Sequence, residues 1–482
     1  MNDKSYASVS DATFINEKAI LDTLGSAPKN PSSLQVGEIL GKAALLKGLE
    51  PAEVAVLMNV TDPDQTRQLF DAAIAVKRTV YGDRVVLFAP LYISNLCKNE
   101  CDYCAFRAGN TGIARKELSQ EEIHREIEAV LATGQKRILM VAGESHTEKN
   151  DFDYLLKAVG SIYAARHGSS SIRRVNVNLA PLSVEGYRKL LDAKVGTVQI
   201  FQETYHPETY LARHLAGPKR DYCNRMNAFD RAMEAGGENG MDVGLGALLG
   251  LYDWRFEVLG LLRHSNHLLN AFGVGPHTIS VPRVEPATGS QFANSPLRHA
   301  VPDDDFRKLV AVLRLAVPYT GIIMSTRENE AMRRATLALG VSQLSAGSRT
   351  DPGGYTGSDE ARKDGQFFTG DHRGLGEVML GLVRGGYIPS FCVGCEENGR
   401  MGRAFMKLAR AAQIGGYCEP NALLSFQEFL THYAKVESPL RVEGTRLVQR
   451  KLALMQTKRA PFHDNAPGLL RRVEAGELGV SV

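Results

Sequence analysis

The chain has 482 residues, 44% of them hydrophobic, and its 57 basic and 54 acidic side chains leave a formal net charge of +3. That length supports a large core in two or three structural units, and balanced charge without a basic block excludes nucleic acid as an implied partner. No basic region followed by an apolar one opens the chain and no apolar run approaches ~18 residues, so the expectation is a soluble, cytoplasmic protein with no membrane partner.

Residues 1 to about 80 read as helices without strands, among them Leu34 to Lys47 and Pro51 to Met58, and form a cap packed on the strand-bearing part of the chain. From Arg84 onward short β-branched runs alternate with longer helical patterns. The predicted strands are Arg84 to Pro90, Arg137 to Gly143, Arg174 to Ala180, Thr197 to Thr204, Asp242 to Gly250, Thr278 to Val284, Gly321 to Ser325 and Gln343 to Gly347. Eight strands with helices between them imply a closed parallel barrel, so the fold class is α/β, a TIM-type (β/α)8 barrel. The expected division is a helical N-terminal cap over 1–80, the barrel over 81–370 and an extension over 371–482.

Ser119-Gln-Glu-Glu122 forms a capping box for a helix running toward Thr133. Ser348 to Gly370 is glycine-rich and polar and reads as a mobile loop. Beyond Asp371 the alternation stops. There Gly402 to Ile414 has an amphipathic helical pattern, and Ser425-Phe-Gln-Glu428 reads as the opening of a further helix.

The cysteines carry the chemistry. Cys97, Cys101 and Cys104 stand x3 then x2 apart, directly after the first predicted strand. Three thiolates on one loop can hold three irons of a 4Fe-4S cube and leave the fourth open to a small molecule. A structural zinc site wants four ligands, and no fourth stands near this loop. Near the other end come Cys392, Cys395 and, after 22 residues, Cys418, again three rather than four. The count favours a second iron-sulfur centre with an open iron over a closed zinc knot. Cys223 is alone and reads as a small buried apolar residue. Unpaired, clustered cysteines suit a reducing compartment.

The run Cys97 to Cys104, with Tyr103 as the aromatic before the third cysteine, resembles the cluster loop of the radical S-adenosylmethionine (SAM) superfamily. The resemblance implies that the open iron chelates the amino and carboxyl groups of SAM, and that an electron from the cluster yields a 5'-deoxyadenosyl radical. Ala142-Gly143-Glu144, after the second strand, resembles the superfamily's Gly-Gly-Glu element that binds the SAM amino group. Ala142 departs from it, and an ordinary turn would look the same. At the end of strand four, Gln202 and Glu203 follow an apolar run, and a carboxylate so placed suits the SAM ribose or methionine groups. Arg220 is read as a bidentate donor to the SAM carboxylate, or else as a solvated charge beside Asp221. At the end of strand seven, Ser325 and Arg327 suit the carboxylate of an amino-acid substrate, with an Arg327 to Glu328 surface pair as the alternative.

The cluster loop, the Ala-Gly-Glu element, the run Ser325-Thr-Arg-Glu328 and above all the distal Cys-x2-Cys-x22-Cys together look like the tyrosine-cleaving radical SAM maturases of iron-iron hydrogenase, from about Glu50 to Tyr433. This resemblance implies cleavage of L-tyrosine to p-cresol and dehydroglycine, then carbon monoxide and cyanide formation at the distal cluster for assembly of the hydrogenase cofactor. It further implies two iron-sulfur clusters, the distal one with an extra iron held by a histidine and a free cysteine. An external electron donor and other hydrogenase maturation proteins are the implied partners. His267 and His277 are better placed for that iron than His264, and each also reads as an ordinary hydrogen-bonded histidine. Two other readings stay open, the thiamine-pathway tyrosine lyase that stops at dehydroglycine and a non-catalytic cluster scaffold or electron carrier.

Overall fold

Eight parallel strands close on one another in the computed structural model, which describes residues 14–148, 150–357, 363–456 and 465–482. In chain order they are β1 (Arg84–Ser94), β2 (Arg137–Ala142), β3 (Arg174–Asn178), β4 (Val195–Gln199), β5 (Asp242–Gly246), β6 (Thr278–Ser280), β7 (Gly321–Met324) and β8 (Val341–Ser345). Each pairs with its neighbour in sequence, and β8 pairs with β1 through Val86↔Gln343 and Phe88↔Ser345, which shuts the barrel. The fold is a (β/α)8 barrel.

A parallel barrel strand is covered on both faces, so β1 is buried along its whole length. The period of two still sorts its residues. Val85, Leu87, Ala89, Leu91 and Ile93 belong to the main apolar core under the outer helices. Arg84, Val86, Phe88, Pro90 and Tyr92 point the other way and line cavities at the two ends of the barrel. The interior mixes apolar side chains such as Phe88, Val141 and Ile323 with polar ones at both ends. Asn178, Gln199, Ser280 and Ser345 line the C-terminal cavity, and Arg84, Arg137, Arg174 and Gln343 line the N-terminal one.

Among the described residues four helices precede the barrel: Glu17–Ser26, Ser33–Ala43, Pro51–Met58 and Pro63–Tyr81. The last packs on the outer helix Asp303–Ala316. The capping box at Ser119 forms as read, Ser119 Oγ accepting from Glu122 N and the Glu122 carboxylate from Ser119 N. Among the described residues no helix is long and apolar enough to cross a membrane.

Past the barrel the structure departs from the sequence reading twice. A short strand, β9 (Ile388–Ser390), adds to the start of β1 through Arg84↔Ile388 and Val86↔Ser390. It delivers Cys392 and Cys395 to the N-terminal mouth. Ser425 does not open a helix; it lies inside the continuous helix Gly415–His432, which also carries Cys418. Its hydroxyl accepts from Phe391 N instead, tying that helix to the cysteine-bearing loop.

A buried ion network fixes this extension to the barrel. Glu428 accepts from Lys136, from Arg173 at 3.0 and 3.2 Å and from the amide of Gly479 at 2.8 Å. Removing one partner of such a network strands the others without compensation, at a cost of about 3–5 kcal/mol. Glu428→Ala is therefore expected to lower the calorimetric unfolding midpoint. An unchanged midpoint would show that the network does not hold the two parts together.

Candidate active site and distal cysteine site

The loops that leave the C-terminal ends of the strands converge on a cavity of ≈ 170 Å³. That leaves room for on the order of ten water-sized groups. Cys97, Cys101 and Cys104 line it from the loop after β1, Gly143 and Glu144 from β2, Glu203 from β4 and Ser325 and Arg327 from β7. Tyr103 lines it too, its hydroxyl 2.8 Å from His214 Nε2.

Backbone approach explains the glycine. A Cβ at Gly143 would clash with the carbonyl oxygen of Leu96, so only glycine lets β2's exit lie against the cysteine loop. Beside it Glu144 accepts from Asn99 Nδ2 at 2.9 Å and from Arg225 Nη1 at 2.8 Å. Burial alone would raise this carboxyl, but Arg225 and Lys219 outweigh it and hold the pKa below the usual range. Glu203 sits at a left-handed φ of 70° and accepts from Lys219 Nζ at 2.7 Å. A non-glycine residue in that conformation is strained, and strain of this kind collects at functional sites.

Two of the expected cofactor contacts are not in the cavity. Arg220 turns away: its Nη1 donates to Leu211 O and His214 O, both at 2.7 Å, and so caps the end of helix Pro207–Arg213. Its neighbour Lys219 takes the inward position, because the two belong to the tight 3-10 turn Pro218–Arg220, in which adjacent side chains diverge. Gln202 is buried behind the wall, its Nε2 without a partner, while Gln199 faces the cavity. The residues missed from sequence are thus Lys219, Arg225, Asn99 and Gln199. Arg225 and Asn99 line the cavity and also hold Glu144, a pairing that no local spacing announces.

Arg327 does not pair with Glu328, which binds Arg283. Its guanidinium lies 3.3 Å from the centroid of the Phe367 ring and donates to no protein acceptor among the described residues. Burial lowers its pKa from the usual value. A charged fork with unmet donors at a cavity wall suits a carboxylate ligand.

At the opposite end, Cys392, Cys395 and Cys418 line a smaller cavity of ≈ 60 Å³ together with Arg84, Arg137, Arg174 and His277. Arg137 Nη1 donates to Cys392 O at 2.6 Å, and Gly394 N donates to the Cys392 sulfur at 3.3 Å. The Cys395 thiol is pushed down to about 6, first because it accepts a hydrogen bond from Cys418, with Arg400 and Arg84 adding to it. His277 is half-buried, its Nδ1 out of solvent, 3.7 Å from Asp242 Oδ2 and without a hydrogen bond. Burial pushes it down to about 4, so the imidazole is neutral and able to act as a ligand. His267 is not brought here. It stacks on Phe14 at 3.9 Å and lies 2.8 Å from Asp230 on the outer face of helix Trp254–Phe272. His264 faces Tyr205 at 3.0 Å inside that helix's core contacts.

Both triads fit iron-sulfur clusters. All six cysteines are free, and burial raises the proximal thiols, Cys104 to about 11. Thiols held in the neutral form by burial become ligands when a cation supplies the compensating charge. Among the described residues no three His, Cys, Asp or Glu side chains gather round one point as the ligands of a single ion would.

Comparison with known proteins agrees with this geometry. Residues 91–260 match the model of the radical SAM superfamily, and residues 280–388 that of the biotin and thiamin synthesis associated domain. Fold and site thus define a radical SAM barrel, and with it a 4Fe-4S cluster and SAM. A crystal structure of HydG, a maturase of the [FeFe]-hydrogenase, superposes with a TM-score of 0.90 at 43% identity, covering 97% of this chain and 100% of that one. HydG from Carboxydothermus hydrogenoformans superposes at 0.80 with 38% identity, covering 95% and 97%. The 2-iminoacetate synthase of Salmonella typhimurium is 32% identical over 338 residues, 70% of this chain and 85% of that protein. The chain belongs to the family of the [FeFe]-hydrogenase maturase HydG.

Proposed function

We propose that this protein is a tyrosine lyase of hydrogenase maturation. In this reading L-tyrosine is cleaved to p-cresol and dehydroglycine at the C-terminal mouth, and the dehydroglycine is split to carbon monoxide and cyanide at the distal site. The observation that carries the reading is a pair of three-thiol sites at opposite ends of one barrel. Separating the sites keeps radical initiation and capture of small products from competing for one coordination position.

Cys97, Cys101 and Cys104 would hold the proximal cluster, and Cys392, Cys395 and Cys418 a second. When bound and reduced by an external electron donor, the proximal cluster supplies the electron that cleaves SAM to the 5'-deoxyadenosyl radical. Gly143 and Glu144 take the SAM amino group, with Arg225 and Asn99 fixing the carboxylate. The paired Glu203 and Lys219 face SAM beside Tyr103. Arg327 and Ser325 hold the tyrosine carboxylate and turn the amino acid toward the cluster. At the far end His277, with a free cysteine, holds a further iron. The distal cavity has room for on the order of five water-sized groups, which suits a two-carbon fragment better than an aromatic amino acid. Other hydrogenase maturation proteins would receive the product.

The 2-iminoacetate synthase match favours a second reading, in which the reaction stops at dehydroglycine. Anaerobic incubation of the reconstituted protein with SAM, dithionite and tyrosine separates the two. The expected products are 5'-deoxyadenosine, p-cresol, carbon monoxide and cyanide. p-Cresol without the two diatomics would establish the second reading, and absence of p-cresol and 5'-deoxyadenosine would leave a scaffold.

A further inference from the structure

The segment Gln366-Phe367-Phe368 has a place in neither the cluster loop nor the barrel strands, yet it touches both. Its backbone is seated three times: Gln366 N donates to Thr350 O at 2.9 Å, Ala105 N to Gln366 O at 3.3 Å and Phe368 N to Pro286 O at 2.9 Å. Gln366 reaches inward, with its Oε1 accepting from Tyr92 Oη at 2.8 Å and its Nε2 3.8 Å from Cys104 Sγ. The next ring, Phe367, lies under the guanidinium of Arg327. Because the Tyr92 hydroxyl occupies the amide oxygen, the amide N–H is left to aim at sulfur.

We propose that Gln366 is a positioning residue that sets the reduction potential of the proximal cluster, and that Phe367, stacked under Arg327, holds the segment that carries it in place. The inference rests on the reading that Cys104 holds that cluster. One-electron reduction places more negative charge on the cluster sulfurs. An N–H dipole directed at Cys104 Sγ stabilises the reduced form more than the oxidised one and raises the potential. Tyr92 serves the same end by holding the amide in register.

The test is anaerobic potentiometry of the reconstituted full chain, following by electron paramagnetic resonance the cluster signal that SAM perturbs, with dithionite as reductant. Gln366→Leu keeps the volume and removes the donor. Its reduction equilibrium constant is expected to fall about tenfold, a downward shift of ~59 mV for a one-electron couple. Gln366→Asn, too short to reach the sulfur, is expected to shift the same way and serves if the leucine variant loads iron poorly. Phe367→Ala is expected to give a smaller downward shift together with a raised KM for tyrosine. Purely structural damage would lower iron content or activity without moving the midpoint of the clusters that remain. A midpoint in both Gln366 variants equal to that of the parent overturns the inference. Absence of any SAM-responsive signal in the parent instead overturns the cluster reading on which it rests.

Discussion

The Cys392→Ser/Cys395→Ser double variant is expected to release p-cresol at a rate within a few-fold of the parent while carbon monoxide and cyanide disappear. The reason is positional. These thiols sit beyond the N-terminal ends of the strands, whereas every residue assigned to SAM and tyrosine lines the cavity at the C-terminal ends. Serine is close to cysteine in size, and the contact that ties this loop to the barrel runs from Arg137 to the carbonyl of Cys392, which the substitution leaves in place. Chromatography for p-cresol alongside assays for both diatomics reads the result. Equal loss of all products would mean that the two ends do not act separately.

The second large effect is expected at Arg327. Its guanidinium is held by stacking on Phe367 rather than by ion pairing, so its donors stay available to a carboxylate. Truncating one partner of a buried charge pair typically costs about 2–5 kcal/mol, so Arg327→Ala is expected to lower kcat/KM for tyrosine by roughly 30- to 5,000-fold. Arg327→Lys keeps the charge but loses the planar fork, and should recover only part of that. SAM affinity is expected to stay within a few-fold of the parent, because Gly143 and Glu144, proposed for its amino group, are left in place. Because tyrosine is then held poorly, more 5'-deoxyadenosine should form per p-cresol released. A variant that lost SAM binding and tyrosine turnover in parallel would place Arg327 at the cofactor instead.

The barrel was legible because its strands are covered on both faces and so read as β-branched runs between helical patterns. All eight runs overlap a barrel strand, though β1 continues to Ser94, β4 begins at Val195 and β8 at Val341. Their ends were less legible. The predicted fourth, fifth and sixth strands run on past Gln199, Gly246 and Ser280, where only isolated bridges such as Glu203↔Ala247 and Leu249↔Arg283 continue the pairing. Strand β9 is three residues long with Pro389 at its centre, a composition that argues against a strand unless an edge accepts it. The box at Ser425 failed because burial of Leu423, Phe426 and Leu430 carries the helix through it.

The cysteines announced themselves by spacing, and Gly143, Glu144, Glu203, Ser325 and Arg327 by standing at strand exits. Lys219 lost to Arg220 in the reading because a 3-10 turn decides between neighbours, and nothing in the local sequence shows which side faces inward. His277 and His267 looked equivalent in sequence. The structure separates them: one precedes β6 at the barrel mouth, and the other lies on the outer face of a helix beside Asp230. Gln366 had no signal at all, since the bond it makes depends on a loop folding back across 262 residues to Cys104.

Electron paramagnetic resonance of the anaerobically reconstituted, reduced protein with and without SAM, alongside iron and sulfide analysis, tests the two-site account most directly. Two distinct cluster signals, of which SAM alters one, are the predicted result. A single signal, or two that SAM leaves untouched, would contradict it.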